Sequence, residues 1–141
     1  MDEYSEELGM TIGQALIQPT KIYVKDVLPL LDKFDIHGIS HITGGGIYEN
    51  LPRILKDGQK VIWDLKDYEI PQVFKMIQKW GDIETNEMFN TFNMGLGMVL
   101  VVAPSQYEDI LKDLEERQIS YVEMGQIVEG QKGVELCNLK E

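Results

Sequence analysis

The sequence predicts an α+β domain in which a mixed sheet is layered by helices. Its 141 residues, 43% of them hydrophobic, suffice for one compact domain and not for two. Periodicities alternate in the order helix, strand, helix, strand, two helices, strand, helix, strand, strand. A late strand–helix–strand unit, followed by two strands that read as a closing hairpin, favours α+β over a doubly wound sheet.

Residues 1–8 form an acidic lead or linker, and residues 9–141 the domain. Gly9 to Pro19 is punctuated by glycine and proline around Met10, Ile12, Leu16 and Ile17. Lys21-Ile22-Tyr23-Val24 has strand composition. Val27, Leu30, Leu31 and Phe34 recur at helical spacing from an Asp26 cap, with Pro29 in the first turn, where a missing N–H is harmless. His37 to Thr43 alternates loosely and reads as a strand, with Ile36, Ile39 and Ile42 as anchors. A helix then starts in the glycine run and carries Ile47, Leu51, Ile54 and Leu55, with Pro52 kinking or shortening it. Val61-Ile62-Trp63 is a short strand.

Pro71 opens a third helix with Val73, Phe74, Ile77 and Trp80 on its apolar face, and Gly81 stops it. Thr85 caps a short helix ending near Phe92. Met98 to Ala103 is continuously apolar, which predicts a central strand covered on both faces. Ser105-Gln106-Tyr107-Glu108 has the form of a capping box, ahead of a core stripe of Tyr107, Ile110, Leu111 and Leu114. Tyr121–Val128 and Val134–Leu139 supply the last two strands.

Thirteen Lys and Arg against twenty-four Asp and Glu give a formal charge of −11, which argues against a duplex-binding surface. It does not exclude an anionic small molecule, because backbone dipoles act locally. The single Cys137 excludes an internal disulfide and a thiolate-rich cluster. His37 and His41 lack a third ligand at metal spacing, so no metal site is expected. The longest apolar run, Met98 to Ala103, is too short to span a bilayer, and no secretory leader opens the chain. The cytoplasm is the default.

Three strings carry candidate chemistry. In His41-Ile42-Thr43-Gly44-Gly45-Gly46-Ile47-Tyr48-Glu49-Asn50, consecutive glycines bring backbone N–H groups close to whatever lies beside them. The run serves either an anionic or carbonyl-bearing ligand or a tight strand–helix crossing, and it lacks P-loop and dinucleotide spacing. Thr43 caps the helix or touches the ligand, and His41 is a core imidazole or a cleft residue. In Thr91-Phe92-Asn93-Met94-Gly95-Leu96-Gly97-Met98, Asn93 suits a tight turn or an amide contact to a ligand. In Gln18 to Lys25, Lys21 and Lys25 are scarce positive charges, suited to a phosphate or simply solvated. No Ser/His/Asp or Cys/His nucleophile set is present.

Taken together, Pro19 to Lys25, Gly38 to Arg53 and Glu87 to Met98 closely resemble the C-terminal part of the phosphoribosylformylglycinamidine cyclo-ligase (aminoimidazole ribonucleotide synthetase) family. The likeness covers almost the whole chain, in order and spacing. Ser40 and Tyr48 stand where smaller or aliphatic residues are more usual.

The resemblance implies a three-layer α/β/α mixed sheet with partial ferredoxin-like topology, and an absent N-terminal ATP-binding domain. It implies an ATP-dependent ligase that closes the imidazole ring of formylglycinamidine ribonucleotide, yielding aminoimidazole ribonucleotide, ADP and phosphate in purine biosynthesis. His41 is then the catalytic candidate, in proton transfer. Thr43, Gly44, Gly45, Gly46, Asn93 and Gly95 are candidates to bind substrate, and Lys21 and Lys25 to bind cofactor. ATP and magnesium fall mostly to the absent domain, and the full-length enzyme is expected to be a homodimer without nucleic-acid or membrane partners. The chain by itself is expected to be inactive. The alternatives are the C-terminal domain of a sister ATP-dependent enzyme and a non-catalytic binding module.

Overall fold

The computed structural model describes residues 2–138. A hairpin of two short strands, β1 (Tyr4–Ser5) and β2 (Met10–Thr11), leads into α1 (Ile12–Leu16). Part of the acidic lead is therefore paired backbone. Thr11 and Gln14 close a reciprocal capping box on α1. Residues 21–23, expected as a strand, are irregular, and α2 (Val24–Lys33) begins directly after them. Among the described residues no strand pairs with this segment, so its β-branched composition has nothing to act on.

The earlier start of α2 moves Pro29 from the first turn into the helix interior. Its missing N–H deprives the Lys25 carbonyl of its helical donor. The Arg117 guanidinium fills that place, donating to the Lys25 oxygen at 2.8 Å and the Asp26 oxygen at 3.0 Å. Arg117 lies just beyond α6 (Tyr107–Glu116) and also donates to Asp113 Oδ2 at 3.0 Å. Lys33 engages the other oxygen of this buried carboxylate. One polar chain thus locks α2 against α6 across a proline defect.

The Lys33 ammonium, followed by Arg117, holds the Asp113 carboxyl below its ordinary range. A depressed folded-state pKa contributes stability above the unfolded value of about 3.9, and that contribution is lost as pH falls through the lower folded value. Asp113→Asn should therefore cost about 2 kcal/mol at pH 7. The gap between urea melts of the two proteins should begin to narrow below about pH 4 and keep closing as the pH falls further; a gap of the same size at about pH 2 as at pH 7 would refute the role of the charge.

The two halves of the core sit on opposite faces of an antiparallel pair, β3 (Ile36–His41) and β5 (Met98–Val102). On one face Leu30 of α2 and Ile110 and Leu114 of α6 pack with Ile36, Leu100 and Val102. Val99 and Ile42 belong to the other, larger cluster. The faces of β5 are covered as the apolar run requires, but β5 is not central: among the described residues it pairs only with β3. The Ser105 capping box does not form. Residues Pro104–Gln106 make a 3-10 turn, and Gln106 Oε1 accepts from the Asp35 N–H at 3.0 Å instead.

A second sheet places β4 (Gln59–Asp64) between β6 (Gly125–Glu129), antiparallel to it, and β7 (Gly133–Cys137), parallel to it. The expected closing hairpin is thus split, because β4 separates its two strands. Residues 130–132 cross the start of β4, with the Gly130 N–H donating to the Gly58 carbonyl at 2.9 Å. Two strand spacings are about 10 Å, which so short a crossing can bridge. Leu139, expected to end β7, lies outside the described residues.

Val61 and Trp63 alternate onto the buried face of β4 and meet three short helices. These are α3 (Gly46–Asn50) with its 3-10 extension Leu51–Ile54, α4 (Gln72–Gly81) and α5 (Thr85–Thr91). Pro52 shortens the α-helix as expected. Gly81 remains helical, and Asp82, at φ 48°, takes the left-handed capping position expected of the glycine. Thr85 is the first residue of α5 rather than its cap, and its hydroxyl accepts from Gln78 Nε2. No helix among the described residues is long and apolar enough to cross a membrane.

Candidate functional site

The glycine turn and the Asn93 turn leave the same end of the β3–β5 pair. His41, the last residue of β3, stands opposite Met98, the first of β5, and the Ile42 N–H extends the ladder to the Gly97 carbonyl at 2.9 Å. The chain then turns through Thr43 and Gly44, both exposed, and through Gly45 at φ 88° and Gly46 at φ 55°. These positive values are open to glycine at low cost.

The three glycines differ in surroundings. A Cβ on Gly46 would overlap the Phe89 carbonyl oxygen and lie 2.9 Å from that of Phe92, so this glycine serves the close approach of α3 to the end of α5. A Cβ on Gly44 would meet nothing within 4 Å. Beside Gly45 lies the Glu49 carboxylate, itself 3.9 Å from Arg53. The tight-crossing reading of the run holds at Gly46, which is a packing point, while Gly44 faces open space. Thr43 makes no side-chain cap on α3.

Asn93 Oδ1 accepts from the Gly95 N–H at 3.0 Å, and its carbonyl accepts from Leu96 at 2.9 Å. The side chain thus shapes its own turn. Buried Met94, at φ 51°, has its carbonyl held by the Tyr68 hydroxyl at 2.7 Å, and burial pushes Tyr68 up to about 12. Gly95, at φ 98°, abuts Pro71 and the Tyr68 hydroxyl.

Tyr23 brings the third string to the same place. Its hydroxyl occupies the space a Gly97 side chain would fill, and its ring meets the exposed His41 edge-on, with centroids 6.0 Å apart. Lys21 lies over the Tyr23 ring at 5.5 Å and pairs with Asp26 at 2.8 Å. Lys25 is exposed on the first turn of α2, and no contact ties its side chain to either turn. The structure therefore gathers His41, Thr43 to Gly46, Asn93, Gly95 and Lys21 around one sheet end, with Lys25 set apart. Two contributors were not selected from the sequence: Tyr23, whose only signal is the bareness of Gly97, and Asn50.

Asn50 is buried, and its Nδ2 donates to the Gly46 carbonyl at 2.8 Å and the Gly44 carbonyl at 3.1 Å, with a longer contact to Thr43 at 3.5 Å. Its spacing of four from Gly46 was the available sign. Two surface concavities lie elsewhere, one between the N-terminal hairpin and Trp80 and the other between Tyr48 and residues 131–136. The turn end is an open surface. Among the described residues no three of His, Cys, Asp and Glu come together as metal ligands.

This is a mixed α+β domain that opens two glycine-bearing turns at one sheet end. The family model for the AIR synthase related protein, C-terminal domain, matches residues 2–138, and the chain belongs to that family. Curated relatives agree along the same span. The chain is 48% identical over 134 residues to the phosphoribosylformylglycinamidine cyclo-ligase of Pseudothermotoga lettingae, covering 95% of this chain and 40% of that protein. To the proteins of that name from Alkaliphilus metalliredigens and Caldicellulosiruptor bescii it is 46% and 43% identical, over 97% and 96% of this chain and 40% of each relative. The resemblance drawn from the three strings is borne out. The chain spans about 40% of the length of these relatives.

Proposed function

We propose that this chain acts as the C-terminal domain of an ATP-dependent cyclo-ligase. The whole protein closes the imidazole ring of formylglycinamidine ribonucleotide to give aminoimidazole ribonucleotide, ADP and phosphate, as a cytoplasmic homodimer. The observation that carries the reading is the family match, which runs through both glycine-bearing turns. We extend to this chain the three-layer α/β/α plan with partial ferredoxin-like topology, supported by helices α2 and α6 on one face of β3–β5.

A ring closure of this kind needs two parts of one substrate held together and charge stabilised on a transferring phosphoryl group. Neither need calls for a protein nucleophile. The N–H groups of Gly44 and Gly45, unpaired among the described residues, suit an anionic or carbonyl oxygen, and the open side of Gly44 leaves room for it. Asn93 and Gly95 form the neighbouring edge of the cleft. His41, exposed between them and Tyr23, is the group to move a proton. Lys21 and Lys25 are assigned to nucleotide phosphate. ATP supplies the phosphoryl group that makes the substrate amide oxygen a leaving group. The described residues do not fit a magnesium site, and the metal is assigned to the part of the relatives that this chain does not span.

A further observation favours a larger assembly. Of the ten exposed large apolar side chains among the described residues, six (Leu16, Ile17, Ile22, Val24, Leu28 and Leu31) fall within one short stretch that includes the outer face of α2. A helix apolar on both faces belongs between two partners. The chain alone, given magnesium, ATP and formylglycinamidine ribonucleotide, should release no ADP above background. Adding the preceding domain of the Pseudothermotoga lettingae relative should restore turnover. Turnover by the chain alone at the rate of an intact enzyme would overturn the reading.

A further inference from the structure

We propose that Asn50 is a positioning residue whose carboxamide sets the shape of the glycine turn and so aims its amides outward. The proposal rests on the reading of that turn as cleft lining.

The geometry follows from peptide planarity. In a trans peptide the N–H points opposite to the carbonyl of the preceding residue, and no peptide here is cis. Asn50 draws the Gly44 and Gly46 carbonyls toward one buried point, at 3.1 and 2.8 Å, with the Thr43 carbonyl at 3.5 Å. The N–H groups of Gly45 and Ile47, and to a lesser degree Gly44, are thereby turned away from that point. Only a donor does this: two amide hydrogens face three carbonyl oxygens, so the Nδ2 assignment is fixed by its surroundings.

The glycines make such a clamp necessary. Gly44 and Gly45 lack side chains to pack, and the free turn would sample many shapes. Glu49 faces the same turn from α3, and its carboxylate beside Gly45 repels a second anion unless Arg53 neutralises it. A turn carrying that carboxylate gains from amides held in one orientation before a ligand arrives.

Asn50→Asp tests the donor at nearly constant volume. Heteronuclear spectra of the 141-residue chain at pH 7.5 should show the Thr43 to Ile47 amides shifted and exchanging at least tenfold faster, with the Trp63 indole unchanged. Lowering the pH to 5.5 should partly restore the original pattern, because a protonated carboxyl regains one donor and burial raises its pKa. Should the variant fail to fold, wild type still decides: the Asn50 carboxamide protons should exchange slowly and show cross-hydrogen-bond coupling to the Gly46 carbonyl carbon. Unaltered turn amides in Asn50→Asp, or a fast-exchanging carboxamide in wild type, would overturn the proposal. Titration of the labelled chain with formylglycinamidine ribonucleotide in the presence of the preceding domain of the Pseudothermotoga lettingae relative separates the underlying reading: turn amides that stay still in a mixture that turns over would refute the cleft and leave the clamp standing.

Discussion

Gly46→Ala is expected to lower stability by about 3–5 kcal/mol, roughly 10–15 °C in Tm for a chain of this size. Two costs add. The residue sits at φ 55°, where a side chain costs about 1–2 kcal/mol. Its Cβ would also overlap the Phe89 carbonyl oxygen, and backbone cannot move aside as a side-chain tip can. Relief requires α3 to withdraw from α5, opening the cluster that holds Ile47, Met88 and Phe89. Gly44→Ala is the matched control, because its Cβ meets nothing within 4 Å. It should shift stability by less than about 1 kcal/mol. On the proposed function, it should nevertheless impair turnover in a complete enzyme, since the added methyl would enter the space proposed for the substrate. Thermal melts of the two variants settle the first point; equal losses would show that the glycines are interchangeable and that the division between packing and access is wrong.

That division could not be read from the sequence, which presents Gly44, Gly45 and Gly46 as equivalent letters. Legible features were those that depend on neighbours along the chain. The strand before the glycines, the helix after Pro71 and the shortening at Pro52 all follow from periodicity and proline chemistry. What was misread depends on partners far away. Lys21 to Val24 has strand composition and, among the described residues, no strand to pair with. The two last strands look like a hairpin because nothing in their own residues announces that β4 will lie between them. The Ser105 box lost to a contact between Gln106 and Asp35, seventy-one positions apart. The candidate site follows the same rule. Its three strings were visible, whereas the Tyr23 contact with Gly97 and the Asn50 clamp are contacts through folded space.

Trp63→Ala is expected to cost about 3–5 kcal/mol, comparable to the Gly46 variant but by cavity formation rather than overlap. Trp63 is fully buried, and its indole touches Tyr68 at 5.1 Å and Phe89 edge-on at 5.9 Å between centroids. It therefore joins β4 to α5 and to the segment that holds the Met94 carbonyl through Tyr68. Losing it should also loosen the Asn93 turn. The indole nitrogen has no hydrogen-bond partner among the described residues, so the side chain carries a desolvated donor along with its apolar area. Trp63→Phe removes that donor while retaining a ring against both neighbours, and should cost only about 1–2 kcal/mol. Denaturant unfolding of both variants tests the pair. If phenylalanine proves as damaging as alanine, the nitrogen is engaged in a bond that matters. If alanine costs under about 1 kcal/mol, the site collapses freely and Trp63 does not join the sheet to the turn.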